Sequence, residues 1–210
     1  MSVSLSRMEP SCFFGQDKFS AQMMLSNPKL HKYNIVWDKV LKSGFLNSKR
    51  MPLRQHEDIM VFYKRPPVYN PQMTKGEKSH SKGKCVGNKA DDVFSIRSYG
   101  SYINVPSSDS DMKYPASIWS FPKPHPSVAL HSTEKPIDLC RYAIRTCSNP
   151  GDTILDNCCG SGSILIAALE GRNFIGIDNG FCDKAKSKYF GMSWADVSNQ
   201  RVEEALSTPQ

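Results

Sequence analysis

Residues 153–178 read TILDNCCGSGSILIAALEGRNFIGID, and this stretch restricts the fold more than any other part of the chain. Thr153 to Asp156 has the apolar, β-branched character of a short strand. Cys159 to Ser163 is a glycine turn, Ile164 to Leu169 a helix, Gly171-Arg172 its stop, and Phe174 to Asp178 a second strand. Strand, helix and strand in so short a span make a βαβ unit, whose strands run parallel, so the fold is α/β. Gly160 and Gly162 let the backbone turn sharply and approach a ligand closely, and the helix after them begins with unpaired N–H groups.

Two acids frame that turn. Asp178 closes the second strand sixteen residues beyond Gly162, a place where a carboxylate accepts hydrogen bonds from ribose hydroxyls. Asp156 stands at the tip of the first strand. A carboxylate there repels a pyrophosphate but suits a cofactor carrying an ammonium and a sulfonium, such as S-adenosylmethionine. The same residues also suit a tight turn in any α/β protein, with Asp156 capping a helix and Asp178 ending a strand.

The rest of the chain falls into two ordered stretches around an irregular one. Ser11 to Gly15, Tyr33 to Val40 and Asp58 to Tyr63 are predicted strands, with a helix around Lys18 to Leu25. Pro136 suits the first turn of a helix that continues as IDLCRYAIRTC to Cys147, and Asn149-Pro150-Gly151-Asp152 ends it. A last helix is expected over Asp183 to Tyr189, followed by a polar tail after Gly191. Between Lys64 and Leu130 no period of either kind persists, so loops and short elements are expected there. No internal repeat is visible.

Charge points to a polyanionic partner. The chain carries 27 Lys and Arg against 20 Asp and Glu, a net +7, although surplus lysine also serves solubility. The excess is concentrated. Lys64, Arg65, Lys75, Lys78, Lys82, Lys84 and Lys89 face one acid, Glu77, over a segment rich in Gly, Ser, Pro and Asn. Such an exposed loop suits nucleic-acid contact, and a solvated linker has the same composition. Seven cysteines with an adjacent pair at Cys158 and Cys159 and no CxxC spacing fit neither a disulfide framework nor zinc, so reduced thiols and no metal are expected. No stretch is long and apolar enough for a membrane span, and Met1 to Phe13 lacks the character of a signal peptide, so a cytoplasmic protein is expected.

His131-Ser-Thr-Glu-Lys-Pro136, a helix, NPGDTILD, CGSGS and GRNFIGID occur here in one order, and His56 to Met73 reads HEDIMVFYKRPPVYNPQM. In this the chain resembles the amino-methylating (N6-adenine or N4-cytosine) DNA methyltransferases of the permuted, or beta, class, most of all their phage and prophage branch. The resemblance covers nearly the whole chain. It implies a Rossmann-like, S-adenosylmethionine-dependent α/β sheet with a loop-rich target-recognition insert. Residues 1–63 would form the first part of the sheet, 64–130 the basic insert and 131–210 the cofactor-binding part. It assigns Asp156, Gly160, Ser161 and Gly162 to the cofactor loop, Asp178 to the ribose, and Thr133 and Lys135 to the methionine end of the cofactor. Lys64, Arg65, Lys75, Lys78, Lys82 and Lys84 become candidate contacts to double-stranded DNA. It further implies DNA methylation in a bacterial host cell, sometimes within a restriction-modification pair, by proteins that often form homodimers. Ser132 and Glu134 stand where Pro and Gln are usual, and Asn157-Cys158 replaces a Pro-Phe pair.

That family activates the target amino group with a tetrapeptide Asp/Asn/Ser-Pro-Pro-aromatic, whose first side chain accepts a hydrogen bond while the ring stacks on the flipped base. The 210 residues contain no such string. Arg65-Pro66-Pro67-Val68 comes nearest, with a cation for the acceptor and an aliphatic side chain for the ring. In the resembling phage proteins the tetrapeptide lies ahead of the point matching Met1, on a central strand between those matching Thr153–Asp156 and Ser11–Gly15. The sheet is therefore expected to be incomplete and the chain inactive alone, with no catalytic residue of its own; either an N-terminal fragment or second subunit supplies the strand, or the sheet closes up differently, or the chain folds poorly. The competing expectations are a non-catalytic nucleic-acid-binding subunit or regulator, and the product of a decaying phage gene.

Overall fold

The computed structural model describes residues 10–76, 93–96, 100–103, 111–131 and 133–207. Chain contacts divide it into one compact unit of residues 1–70 and 116–210 and a second of residues 71–115. The larger unit holds strands β1 (Ser11–Gly15), β2 (His31–Ser43) and β3 (Arg54–Phe62) with helix α1 (Asp17–Ser26). The second holds β4 (Thr74–Lys75), β5 (Val93–Ile96), β6 (Gly100–Ile103) and β7 (Met112–Lys113), paired antiparallel as β4 with β7 and β5 with β6. The chain then returns to the larger unit through β8 (Ile118–Ser120), α2 (Ile137–Cys147), β9 (Thr153–Asp156), α3 (Ser163–Ala168), β10 (Asn173–Gly176) and α4 (Trp194–Ser207). The second unit therefore lies inside the irregular 64–130 stretch, and residues 116–130 belong with the sheet.

Two separate sheets make up the larger unit. Four strands lie in the order β1-β3-β2-β8, with β3 antiparallel to β1 and β2, and β8 parallel to β2. The βαβ unit forms the second sheet, in which β9 and β10 pair parallel, Asp156 opposite Gly176. Among the described residues neither β1 nor β9 has a strand on its other edge.

Helix α2 joins the two sheets because its apolar residues cover more than one side of it. Leu139 sits in a cluster with Ile35, Trp37, Ile59, Val61 and Trp119, with Tyr142 and Ala143 at its border. Cys140 and Ile144 pack with Ala167 of α3 against Ile154 and Phe174. The opposite face of the β9–β10 pair is bare. Leu155, Ile175 and Ile177 are each more than half exposed, although burying a side chain of that size is worth about 1.5–3 kcal/mol.

Two expectations need correction. Asp183 to Tyr189 is no α-helix but part of a turn-rich loop. Its ends meet where the Cys182 N–H donates to the Met192 carbonyl at 2.9 Å and Phe181 pairs with Ser193. The segment has helix-forming residues but no apolar stripe to bury, and Lys184 reaches the carbonyls of Pro126, Ser127 and Ala129 instead. Conversely, the polar tail forms α4, which buries Trp194, Val197, Ser198 and Val202.

Candidate functional site

The two acids and the turn expected between them come together. Strand β9 delivers Asp156, whose Oδ1 accepts the Cys158 N–H at 3.1 Å. The chain then passes through Gly160 and Gly162 with φ of +47° and +81°, left-handed conformations that disfavour any residue with a Cβ. Gly162 is fixed in a second way, because a Cβ there would lie 2.8 Å from Ser198 Oγ. Beyond β10, Asp178 closes the turn from the other side. Its Oδ2 accepts the Gly160 N–H at 2.9 Å and its Oδ1 the Gly180 N–H at 2.8 Å. One acceptor direction on each oxygen stays free for a ligand hydroxyl.

Electrostatics at this turn favour a cation. Burial raises the Asp156 carboxyl above its usual range, and the negative charge of Asp178 adds to the rise, against the opposing Cys158 hydrogen bond. Among the described residues no Lys, Arg or His forms an ion pair with either acid. Helix α3 has only six residues, so a strong anion-attracting N-terminus does not form beside Asp156.

His131, Thr133 and Glu134 lie near the turn. The His131 ring lies against Gly160 and meets the Trp194 ring edge to face at 5.2 Å, while Thr133 turns onto His131 through a 2.9 Å bond between Oγ1 and Nδ1. Glu134 is paired at 3.1 Å with Arg201 of α4, and it accepts the Leu130 N–H at 2.6 Å. Arg201 also donates to the Ser161 carbonyl, and Ser198 Oγ to the Gly160 carbonyl at 2.9 Å. The acid at 134 thus has a half-buried partner in the helix that the sequence reading omitted. A cavity of about 490 Å³ lined by Glu134, Lys135 and Arg201 among others does not include Asp156 or Asp178 in its walls.

Lys135 is placed differently from its neighbours. Its ammonium binds Glu57 Oε2 of β3 at 2.8 Å, in the other sheet, where Lys39 of β2 takes Oε1 at 2.6 Å. Sequence reasoning singled out neither Lys39 nor Glu57. The signal was present, since alternation puts Lys39 on the same face as Ile35 and Trp37, and those two are buried. Of the candidate DNA contacts, Lys64 and Arg65 are exposed after β3, and Lys75 is exposed and pairs with Asp111 at 3.7 Å. Lys78, Lys82 and Lys84 lie outside the described residues.

Comparison with known proteins adds to this geometry. The family N6_N4_Mtase, described as DNA methylase, matches residues 10–187. The chain is 38% identical over 112 residues to the DNA adenine methyltransferase YhdJ of Escherichia coli (strain K12), which covers 50% of this chain and 35% of that protein. It is 53% identical over 49 residues to the type II methyltransferase M1.MboII of Moraxella bovis, covering 23% of this chain and 19% of that protein. These matches span about a third or less of the relatives' lengths. Among solved structures, the M1.HpyAVI-SAM complex superposes with a TM-score of 0.52 at 21% identity, over 91% of this chain and 74% of that one. The PvuII DNA methyltransferase (cytosine-N4-specific) does so with a TM-score of 0.50 at 13% identity, over 92% and 69%. Likeness at these identities shows the fold, a mixed α/β sheet of the Rossmann-like methyltransferase type.

Proposed function

The chain belongs to the DNA methylase family N6_N4_Mtase, and on that premise we propose that it carries the cofactor-binding and DNA-binding parts of a site-specific methyltransferase. The target is the exocyclic amino group of adenine (N6) or cytosine (N4), and S-adenosylmethionine is the methyl donor. The observation that carries the cofactor assignment is the pair Asp156 and Asp178, half-buried on one glycine turn with no cation paired to them among the described residues. The residues present fit that cofactor. Asp178, already oriented by two backbone N–H groups, has acceptor directions left for the ribose diol. Asp156, raised by burial, gains from a positive ligand. Gly160 and Gly162, both at positive φ, turn the backbone sharply between the two acids, where the nucleoside would lie. Bound there, the cofactor supplies an electrophilic methyl group.

The chain's own residues would bind and orient cofactor and DNA but not activate the amino group, because no acceptor-Pro-Pro-aromatic string occurs in them. The absence, among the described residues, of a strand beyond β1 and beyond β9, together with the bare face of Leu155, Ile175 and Ile177, supports the reading that a further strand-bearing segment belongs between the sheets. Either a longer form of this chain or a second polypeptide supplies it. A non-catalytic nucleic-acid-binding subunit is the second reading, favoured by the same missing string.

Labelling of DNA by radioactive S-adenosylmethionine separates the two. The 210-residue chain alone should give no label, and addition of a fragment bearing a strand and an Asp-Pro-Pro-Tyr type sequence should restore it. A positioned acceptor is worth about 10²–10³ in rate. Labelling by the purified chain alone refutes the assignment of the missing group. No labelling with any such fragment leaves the binding-subunit reading.

A further inference from the structure

Two cysteines far apart in the chain, Cys12 and Cys147, meet at the edge of the four-stranded sheet. Strand pairing sets Cys12 of β1 opposite Val61 of β3, and Val61 opposite Tyr33 of β2. Residues opposite one another across antiparallel strands point to the same face, so Cys12 shares the face of Val61, which packs with Leu139 of α2 in one core cluster. Phe14, two residues on, borders that cluster as well. On α2 the covering stripe runs Leu139, Ala143 and, one turn further, Cys147, the last residue of the helix. Two residues of strand advance about 7 Å and four of helix about 6 Å, so the step from Phe14 to Cys12 matches the step from Ala143 to Cys147.

The two thiols hydrogen-bond to each other, and they are not equivalent. The bond from Cys12 holds the Cys147 thiol below its ordinary value, against burial, while the same bond pushes Cys12 up. Cys147 therefore ionises first, and the thiolate is the nucleophilic form. Burial first, then the charges of Cys147, Tyr63, Cys12 and Tyr69, push the Tyr33 hydroxyl up to about 12, which places Tyr33 near the pair. Cys12 is exposed and Cys147 half-buried, whereas Cys140, Cys159 and Cys182 are buried. An oxidant from solvent can thus reach this pair. The position matters for the sheet, because among the described residues no strand lies beyond β1, and α2 packs on both sheets.

We propose that Cys12 and Cys147 form a reversible disulfide site, oxidised by hydrogen peroxide, whose bridge clamps the edge strand β1 to α2. The Cys147 thiolate attacks one peroxide oxygen and the O–O bond breaks. The hydroxide released takes up the proton that Cys147 gave off and leaves as water, with Cys147 now a sulfenic acid. The Cys12 sulfur then attacks the Cys147 sulfur, the S–S bond forms and the S–O bond breaks, and the hydroxide leaves with the Cys12 proton as a second water. Two electrons pass from the thiol pair to one peroxide. A small thiol reverses the bridge by exchange. Neither cysteine belongs to the turn of Asp156 and Asp178.

The test treats the reduced 210-residue chain with hydrogen peroxide, blocks the remaining thiols and maps the peptides by mass. The expected product joins the peptides of Cys12 and Cys147, and cleavage at Asp152 and Asp156 separates Cys147 from Cys158 and Cys159. The bridge closes a loop of about 135 residues and should raise the thermal midpoint by about 10 °C. Dithiothreitol should reverse both changes. With dimedone present to trap sulfenic acid, Cys12→Ser should carry the label on Cys147, and Cys147→Ser should carry none on Cys12. Cys12→Ala and Cys147→Ala serve should a serine variant fail to fold. Peroxide that leaves Cys12 and Cys147 free, or a bridge through Cys85 or Cys158 instead, overturns the site. A Cys12–Cys147 bridge with an unchanged midpoint overturns the clamp, and equal dimedone labelling in the two variants overturns the order of attack.

Discussion

Arg201→Met should be among the most damaging single changes outside the strands, because it leaves a buried carboxylate alone. The side chains of Glu134 and Arg201 are 8% and 15% exposed and 3.1 Å apart. Removing one partner of such a pair costs about 3–5 kcal/mol. The Leu130 N–H stays on Glu134, and the Ser163 hydroxyl at 3.4 Å still faces it, so the lower end, about 3 kcal/mol, is expected. For a chain of this size that corresponds to a thermal midpoint about 6–12 °C lower. Glu134→Gln keeps an acceptor for Arg201, which also retains the Ser161 carbonyl, and should cost about 1–2 kcal/mol. In the double variant no charge is stranded, and it should be more stable than Arg201→Met alone by about 1–2 kcal/mol. Urea melts of the four proteins give the cycle. A loss below about 1 kcal/mol for Arg201→Met, or a double variant no better than the single, would show that Glu134 does not depend on α4 for its charge.

The remaining expectations concern the turn and the insert. Gly162→Ala puts a Cβ at φ +81° against Ser198 and should destabilise the chain by about 1–3 kcal/mol, read from the same melts; a neutral effect contradicts the tight approach of α4. Asp156→Asn should stabilise the ligand-free chain while weakening S-adenosylmethionine binding. An acid whose folded pKa is raised binds more protons when folded, so its contribution falls as pH rises from the ordinary carboxylate value through the folded one. The advantage of the Asn variant in thermal midpoint should therefore be absent below that window and full above it, and a pH-independent difference refutes the burial argument. Replacing Lys75, Lys78, Lys82 and Lys84 by Ala should flatten the salt dependence of duplex binding by about 0.9 in log–log slope for each phosphate that is no longer neutralised. An unchanged slope makes the segment a solvated loop.

Legibility followed burial. Strands β1, β2, β3 and β9 were readable as short apolar, β-branched or aromatic runs bounded by turn residues, and helix α2 by the apolar stripe it buries. The glycine turn was readable because two left-handed positions and two acids at fixed offsets leave few other arrangements. Helix α4 was missed because its composition is polar, with Ser198 and Arg201 spent on the carbonyls of Gly160 and Ser161. Its start was nevertheless marked by Ser193 and Asp196, where the Ser193 hydroxyl accepts the Asp196 N–H at 3.1 Å and donates to its carboxylate at 2.6 Å. The helix expected over Asp183 to Tyr189 shows the converse, propensity without a face to bury. Lys39 and Glu57 escaped notice because the charge of a residue usually places it outside, and only the neighbouring Ile35 and Trp37 say otherwise.

The turn of Asp156, Gly160, Gly162 and Asp178 is expected to hold the nucleoside of S-adenosylmethionine or its demethylated product. Calorimetric titration of S-adenosylhomocysteine into wild type and Asp178→Ala measures this most directly. Wild type should bind, and the variant should bind about tenfold more weakly, because the ribose loses acceptors worth on the order of 1 kcal/mol each. Equal affinities, or no binding by the folded wild-type chain, contradict it.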